Sequence, residues 1–202
     1  VFVMAKVFLK NVRLSFPDLF KVGTPPAGSV SEPKFGGQFI FAKDSDAFKV
    51  ASGEVMRVAI EKFGKNAPAI LAELGKDKVC LRKGDGNLDK SGEVRNGYAG
   101  MSYITARNKV RPIVIDRDKT PLVEADGKPY GGCFVNVTVD IYAHDKPGLG
   151  KRVDATLLAV QFVADGESFG GSKGSADDFD VLDDGEGDSA ASTPGVDASD
   201  LF

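Results

Sequence analysis

The segment Gly132–His144 (GCFVNVTVDIYAH) alternates side-chain character along its whole length, and no other stretch constrains the fold as tightly. Successive strand residues point to opposite faces. Cys133, Val135, Val137, Val139 and Ile141 therefore share one face, and Phe134, Asn136, Thr138, Asp140 and Tyr142 the other. The first set is core. The second, with aromatic ends and a polar middle, suits a partly wet surface.

Further strands are predicted over Ala5–Phe16, ending at Pro17 because proline cannot donate to a ladder, and over Phe35–Lys43, where Gly36 and Gly37 suggest a bulge or close backbone approach. Lys78–Lys83, Tyr98–Lys109, Arg111–Asp116 and Lys151–Ala164 read the same way. Asp85-Gly86-Asn87, Asn96-Gly97, Asp126-Gly127-Lys128-Pro129 and Lys146-Pro147-Gly148 supply turns between them. A Pro-, Gly- and Ser-rich loop is expected from Val22 to Pro33. Only one block changes period. Ala47, Val50, Ala51, Val55, Val58, Ala59 and Phe63 recur at helical spacing after Asp44 and Ser45, either of which can cap the helix, and Gly64 ends it. A second short helix is predicted from Asn66 to Gly75, with Pro68 in its first turn. Helices in one block flanked by strands predict a mainly β chain, a barrel or sandwich with an inserted helical hairpin.

The 202 residues suit one domain plus an appendage. From Asp165 onward there are 11 acidic residues and one lysine, a net of −10, which leaves 25 basic and 18 acidic residues before it, a net of +7. After Phe169 the chain is rich in Gly, Ser, Ala and Asp, too poor in apolar area to fold, so residues 170–202 are expected to be a disordered acidic tail on a domain of residues 1–169. Such a tail can merely solubilise; joined to a cationic body, it can also compete with a polyanion for it. Cys80 and Cys133 lie in apolar runs and are expected to be buried, reduced thiols, which suits the cytoplasm. No apolar run approaches the ~20 residues of a membrane-spanning helix. The N-terminal VFVMAKVFLK lacks the marks of a signal peptide, and Met4 is a candidate natural start after Val1 to Val3.

Within Tyr98–Lys109, the residues Tyr103, Thr105, Arg107 and Lys109 share a face, with Arg111 just beyond. A ring followed at period two by cations pairs base stacking with phosphate neutralisation, although a plain solvated strand face has a similar composition. Phe134 and Tyr142 are candidate stacking rings or cross-strand packing residues. Arg82-Lys83 and Lys151-Arg152 are further candidate phosphate contacts or ordinary strand ends. The polar segment Gly84–Gly97 is either a flap that closes over a nucleic-acid strand or an inert hairpin.

Enzyme chemistry is poorly supplied. Asp116, Asp118, Glu124 and Asp126 are interleaved with Arg117 and Lys119, which favours a charged turn over a cation site. His144 is the only histidine, beside Asp145 at a strand end, and no phosphate-cradling glycine loop occurs. A non-enzymatic binding protein with no cofactor or metal is expected. The competing readings are a structural or assembly protein whose basic β-face meets an acidic partner, and a metal-dependent enzyme built on the Asp116–Asp126 carboxylates.

Six segments, VRLSFPDLF (12–20), FGGQFIFA (35–42), GYAGMSY (97–103), RNKVRPIVIDRDKTP (107–121), DGKPYGGCFVN (126–136) and GKRVDATLLAVQFVAD (150–165), resemble the tailed-bacteriophage single-stranded DNA-binding protein family. The resemblance covers most of residues 5–169, and RPIVIDRD with DGKPYGGC is its most specific part. It implies an OB-fold-like barrel, sequence-independent single-stranded DNA binding in phage replication or recombination, and action in the cytoplasm of the bacterial host. One departure stands out. A plain OB-fold has its helix between the third and fourth strands, whereas the helical block here follows the second visible strand, so either a strand lies unseen within residues 17–34 or the helices are an insertion. The tail is similar to those of replication proteins with acidic, flexible ends, and its last residues, Asp200, Leu201 and Phe202, are candidates for docking a replication or recombination partner. Oligomeric state is left open.

Overall fold

A computed structural model describes residues 5–24 and 32–170; the acidic tail, with Asp200, Leu201 and Phe202, lies outside them. Strand β1 (Ala5–Gly23) is longer than its pattern predicts, because it runs through Pro17 instead of stopping there. Its register against β2 (Lys34–Ala42) shifts between Ser15 and Asp18, so Pro17 falls in a bulge where a missing N–H costs no ladder bond. A second shift, between Leu9 and Val12, sits at its pairing with β6 (Phe134–Lys146). Asn11 and Phe16 carry φ of 50° and 49° at these two irregularities. The bends let one strand pair with β6 along its first half and β2 along its second, while Val7, Leu9, Val12, Leu14 and Leu19 all stay buried.

β2 pairs with β4 (Met101–Asn108), and β6 pairs with β7 (Gly150–Ala164) through a hairpin tipped by Gly148. A parallel contact of Arg107 with Thr156 joins β4 to β7 and closes a five-stranded barrel in the order β1-β2-β4-β7-β6. Short edge strands β3 (Leu81–Lys83) and β5 (Ile113–Ile115) add to β4 and β7. The inward residues of Gly132–His144 are those its alternation assigns: Cys133, Val135, Val137, Val139 and Ile141 are fully buried.

Helix α1 (Asp46–Phe63) starts at Ser45, whose hydroxyl accepts the Phe48 N–H at 3.2 Å, and ends at Gly64 with φ of 71°. Its buried face is mostly alanine and valine, so it seats closely on the barrel core. Helix α2 (Ala67–Glu73) follows directly. Because β1 is continuous and β2 leads straight into α1, the helical pair is an insertion between the second and third barrel strands of an OB-fold-like barrel. Both cysteines are buried and neither forms a disulfide, and burial pushes the Cys80 thiol up to about 12. No described helix is long and apolar enough to cross a membrane.

Candidate nucleic-acid interface

The bulge at Phe16 re-aims the chain so that Phe16, Asp18 and Phe20 lie on the solvent side of β1 while Leu19 turns into the core. Phe16 is 46% exposed and Phe20 half-buried. A guanidinium accompanies each ring: Arg95 lies 5.3 Å from the Phe16 centroid and Arg111 lies 5.2 Å from that of Phe20. Between the rings, the sheet register sets Asp18 opposite Gly36 and Gly36 opposite Arg107, a single row across β1, β2 and β4. Gly36 is required there: a Cβ would come within 2.9 Å of both Arg107 Cγ and the Ala106 carbonyl oxygen. Burial raises the Asp18 carboxyl above its ordinary value although the Arg107 charge opposes the shift. Arg95, Arg107 and Arg111 enter no ion pair among the described residues. An open cleft of about 270 Å³, lined in part by Pro17, Asp18, Phe20, Lys128 and Tyr130, flanks the strip. One exposed and one half-buried ring, with three guanidinium groups in no ion pair among the described residues, form a surface on which bases can stack while phosphates meet cations.

The structure sorts the residues expected from sequence into three groups. Arg107 and Arg111 stand on this strip, and Lys109 stands next to it, ion-paired with Glu32. Tyr103 must be corrected. It faces outward from β4 as its alternation predicts, but it is only 5% exposed and cannot take a base. Segment 84–100 folds back over the outer face of the sheet and builds a second small core of Ile40, Tyr98 and Tyr103, the two tyrosine rings meeting edge to face at 5.1 Å. Gln38 anchors this cover, its side-chain oxygen accepting Tyr98 Oη at 2.6 Å and Asn87 Nδ2 at 2.9 Å. Burial pushes the Tyr98 hydroxyl up to about 12. The segment is thus packed on the sheet by its own small core. It seals Tyr103 and presents Arg95 to Phe16.

The remaining candidates stand apart from the strip. Phe134 is half-buried at the start of β6, with Gly166 close against its ring. Tyr142 is half-buried and stacks on His144 with centroids 5.8 Å apart, its hydroxyl raised by burial. Arg152 pairs with Asp154 at 3.3 Å and donates to the Asp77 carbonyl at 2.7 Å, while Arg82 lies 3.6 Å from the Asp77 carboxylate. His144, placed by sequence simply at a strand end beside Asp145, is buried and meets Asp154 at 2.8 Å. Lys151 lies 3.8 Å from Asp145 at the β6–β7 tip, and Lys83 is exposed on edge strand β3. The carboxylates weighed as a cation site each have separate work. Asp116 pairs with Lys128 at 2.8 Å, which holds it below the usual carboxylate range, and Glu124 pairs with Lys21 at 2.6 Å. Asp118 and Asp126 accept backbone N–H groups in turns.

Sequence reasoning missed Phe16, Phe20 and Arg95. The available signal was the proline itself: a proline within an otherwise strand-like run marks a bulge as readily as an end, and two phenylalanines flank it in SFPDLF.

Residues 5–190 match the family model described as Enterobacter phage Enc34, ssDNA-binding protein. Protein p50 of Acyrthosiphon pisum secondary endosymbiont phage 1 is 40% identical over 182 residues, covering 88% of this chain and 94% of its own. The single-stranded DNA-binding protein from bacteriophage Enc34, solved in complex with ssDNA, superposes with a TM-score of 0.66 at 26% identity, over 82% of this chain and 89% of that one. Gp2.5, a single-stranded DNA-binding protein encoded by bacteriophage T7, shares the fold at a TM-score of 0.53 and 13% identity, over 94% of this chain and 100% of that one.

Proposed function

The chain belongs to the Enterobacter phage Enc34 ssDNA-binding protein family, and from that premise we propose that it binds single-stranded DNA without catalysis and with little sequence preference. The observation that carries this reading is the strip on β1, with Phe16 and Phe20 as stacking platforms and Arg95, Arg107 and Arg111 free to neutralise phosphates. Stacking favours any base, since each has a π-face, and guanidinium groups release counterions from the backbone. Lys109 extends the cationic line once its pair with Glu32 opens. The Enc34 relative in complex with ssDNA supports the assignment of ligand class.

The acidic residues beyond Asp165 supply a second anion that competes for the same cations, and the apolar pair Leu201-Phe202 within this acidic stretch offers a handle to a replication or recombination protein in the host cytoplasm. Fluorescence titration with oligo-dT at two salt concentrations tests the body: tight binding that weakens with salt is expected, and salt-independent or undetectable binding contradicts it. Deleting residues 170–202 should tighten binding. Unchanged or weaker affinity removes tail competition.

A further inference from the structure

A second ring-and-cation group occupies the other half of β1. Lys6, Phe8 and Lys10 alternate there with buried Val7 and Leu9, so all three face solvent. Phe8 is 49% exposed, and Lys10 Nζ lies 5.7 Å from its ring centroid. Neither lysine enters an ion pair among the described residues. Asp140, opposite Lys6, is buried.

The sheet register continues the row from Phe8 to Thr138, Ala159 and Ile113, across β1, β6, β7 and β5. Ile113 is 65% exposed, so two apolar side chains stand over a low floor of threonine and alanine. The adjoining Asn136 and Gln161 satisfy each other at 3.0 Å. The result is a flat shelf, apolar at both ends and flanked by uncommitted lysines.

We propose that this shelf is a second contact for single-stranded DNA, on which one strand continues past the Phe16–Phe20 strip: Phe8 stacks a base, and Lys6 and Lys10 take phosphates. The proposal rests on the function proposed above. Two observations favour nucleic acid as the occupant. The shelf is continuous with the strip through a single strand, and Phe16 lies eight positions beyond Phe8 on β1, at most roughly 26 Å at ~3.3 Å per residue because the strand bends between them. That reach suits a footprint of ~4–16 nucleotides for a barrel of this kind. The charge is also one-signed. A two-fold pairing of the shelf with a second copy would bring the lysines of both copies together, which like charges oppose.

The test compares the full chain with Phe8→Ala, Phe8→Trp and Lys6→Ala/Lys10→Ala on short (about 6-nucleotide) and long (about 20-nucleotide) oligo-dT, lengths chosen to bracket one barrel's footprint. Phe8→Ala should weaken binding of the long oligonucleotide about fivefold or more, the loss of one stacked base, and leave the short one unchanged. Phe8→Trp should restore it, and the double lysine variant should lower the salt dependence on the long oligonucleotide alone. Equal effects on both lengths, or none on either, overturn the proposal, as does a wild-type dimer that Phe8→Ala dissociates. Binding of the short oligonucleotide reads the Phe16–Phe20 strip by itself, so failure of the shelf and failure of the proposed function give different results.

Discussion

Two cationic regions of this protein use the same residue types and come out opposite in character. Around Asp77 and Asp154, Arg82, Arg152, Tyr142 and His144 gather arginine and aromatic groups into one cluster. Each charge there already has a partner. On the outer face of β1, Phe16, Phe20, Arg95, Arg107 and Arg111 form the looser group, with no ion pairs. Breaking an established pair to engage a phosphate forfeits its Coulomb energy and hydrogen bonds, whereas an unpaired guanidinium exchanges only water and counterions. The first region therefore holds two strands and the segment before β3 together. The second is free to bind. Availability decides which arginines can meet a ligand, and composition does not report it.

The largest effect should come from the rings. Phe16→Ala combined with Phe20→Ala should weaken oligo-dT binding by about a hundredfold, since each stacked base contributes roughly 1–3 kcal/mol. Phe16 is exposed, whereas Phe20 also packs against the barrel core, so the unfolding midpoint in urea should fall only through Phe20→Ala, and Phe16→Ala alone should leave it near wild type. Tyr142→Phe, made in the paired region, should leave DNA affinity untouched. If it weakens binding as strongly as the ring pair does, the division between the two regions is wrong.

How far this division could be read from sequence depended on the reach of each interaction. The inward face of β6, the Ser45 cap and the Gly64 stop are local, and all were legible because alternation and capping act over a few residues. The face of Tyr103 was legible too, but its cover was not. Whether an outward side chain meets water depends on where segment 84–100 lies, and Gln38, from a different strand, anchors that segment. The pairing of Arg152 with the Asp77 carbonyl spans 75 positions and left no periodic trace. Phe16 and Phe20 were hidden differently. Proline reads as the end of a strand, yet in a bulge it ends nothing, and ending the strand there leaves Phe16 as its last residue and Phe20 beyond it.

Asp154→Ala should act on stability alone. It strips His144 Nε2 of its partner and Arg152 of its carboxylate, and an unsatisfied buried polar group costs ~1–3 kcal/mol. Urea denaturation should register that loss while oligo-dT affinity stays constant; a fall in affinity at full folding would move the interface toward this region. The reverse pattern is expected of Arg95→Ala/Arg107→Ala/Arg111→Ala. With about 0.7 of a counterion released per phosphate contact on a single strand, the slope of log affinity against log salt should flatten by about two. Thermal stability should barely change, because no ion pair among the described residues is lost.

The smallest effect isolates Asp18, the one carboxylate placed between the two rings. Its carboxylate lies where any side chain at Gly23 would fall, and the partial burial that raises its pKa outweighs the pull of Arg107. Bound DNA brings phosphates to that row, so the ionised carboxylate is repelled and its pKa in the complex must lie above its already raised value in the free protein. By linkage, the complex takes up protons. Affinity is then greatest with Asp18 protonated and falls as pH rises from the free-protein pKa, itself above the ordinary 3.8, through that of the complex. Asp18→Asn should abolish this dependence and tighten binding at neutral pH by about fivefold, the equivalent of ~1 kcal/mol for one charge pair in water at ~4 Å. Titration of both proteins across that range decides it. If Asp18→Asn instead loosens binding, the carboxylate orients Arg107 for phosphate and does not compete with DNA for it.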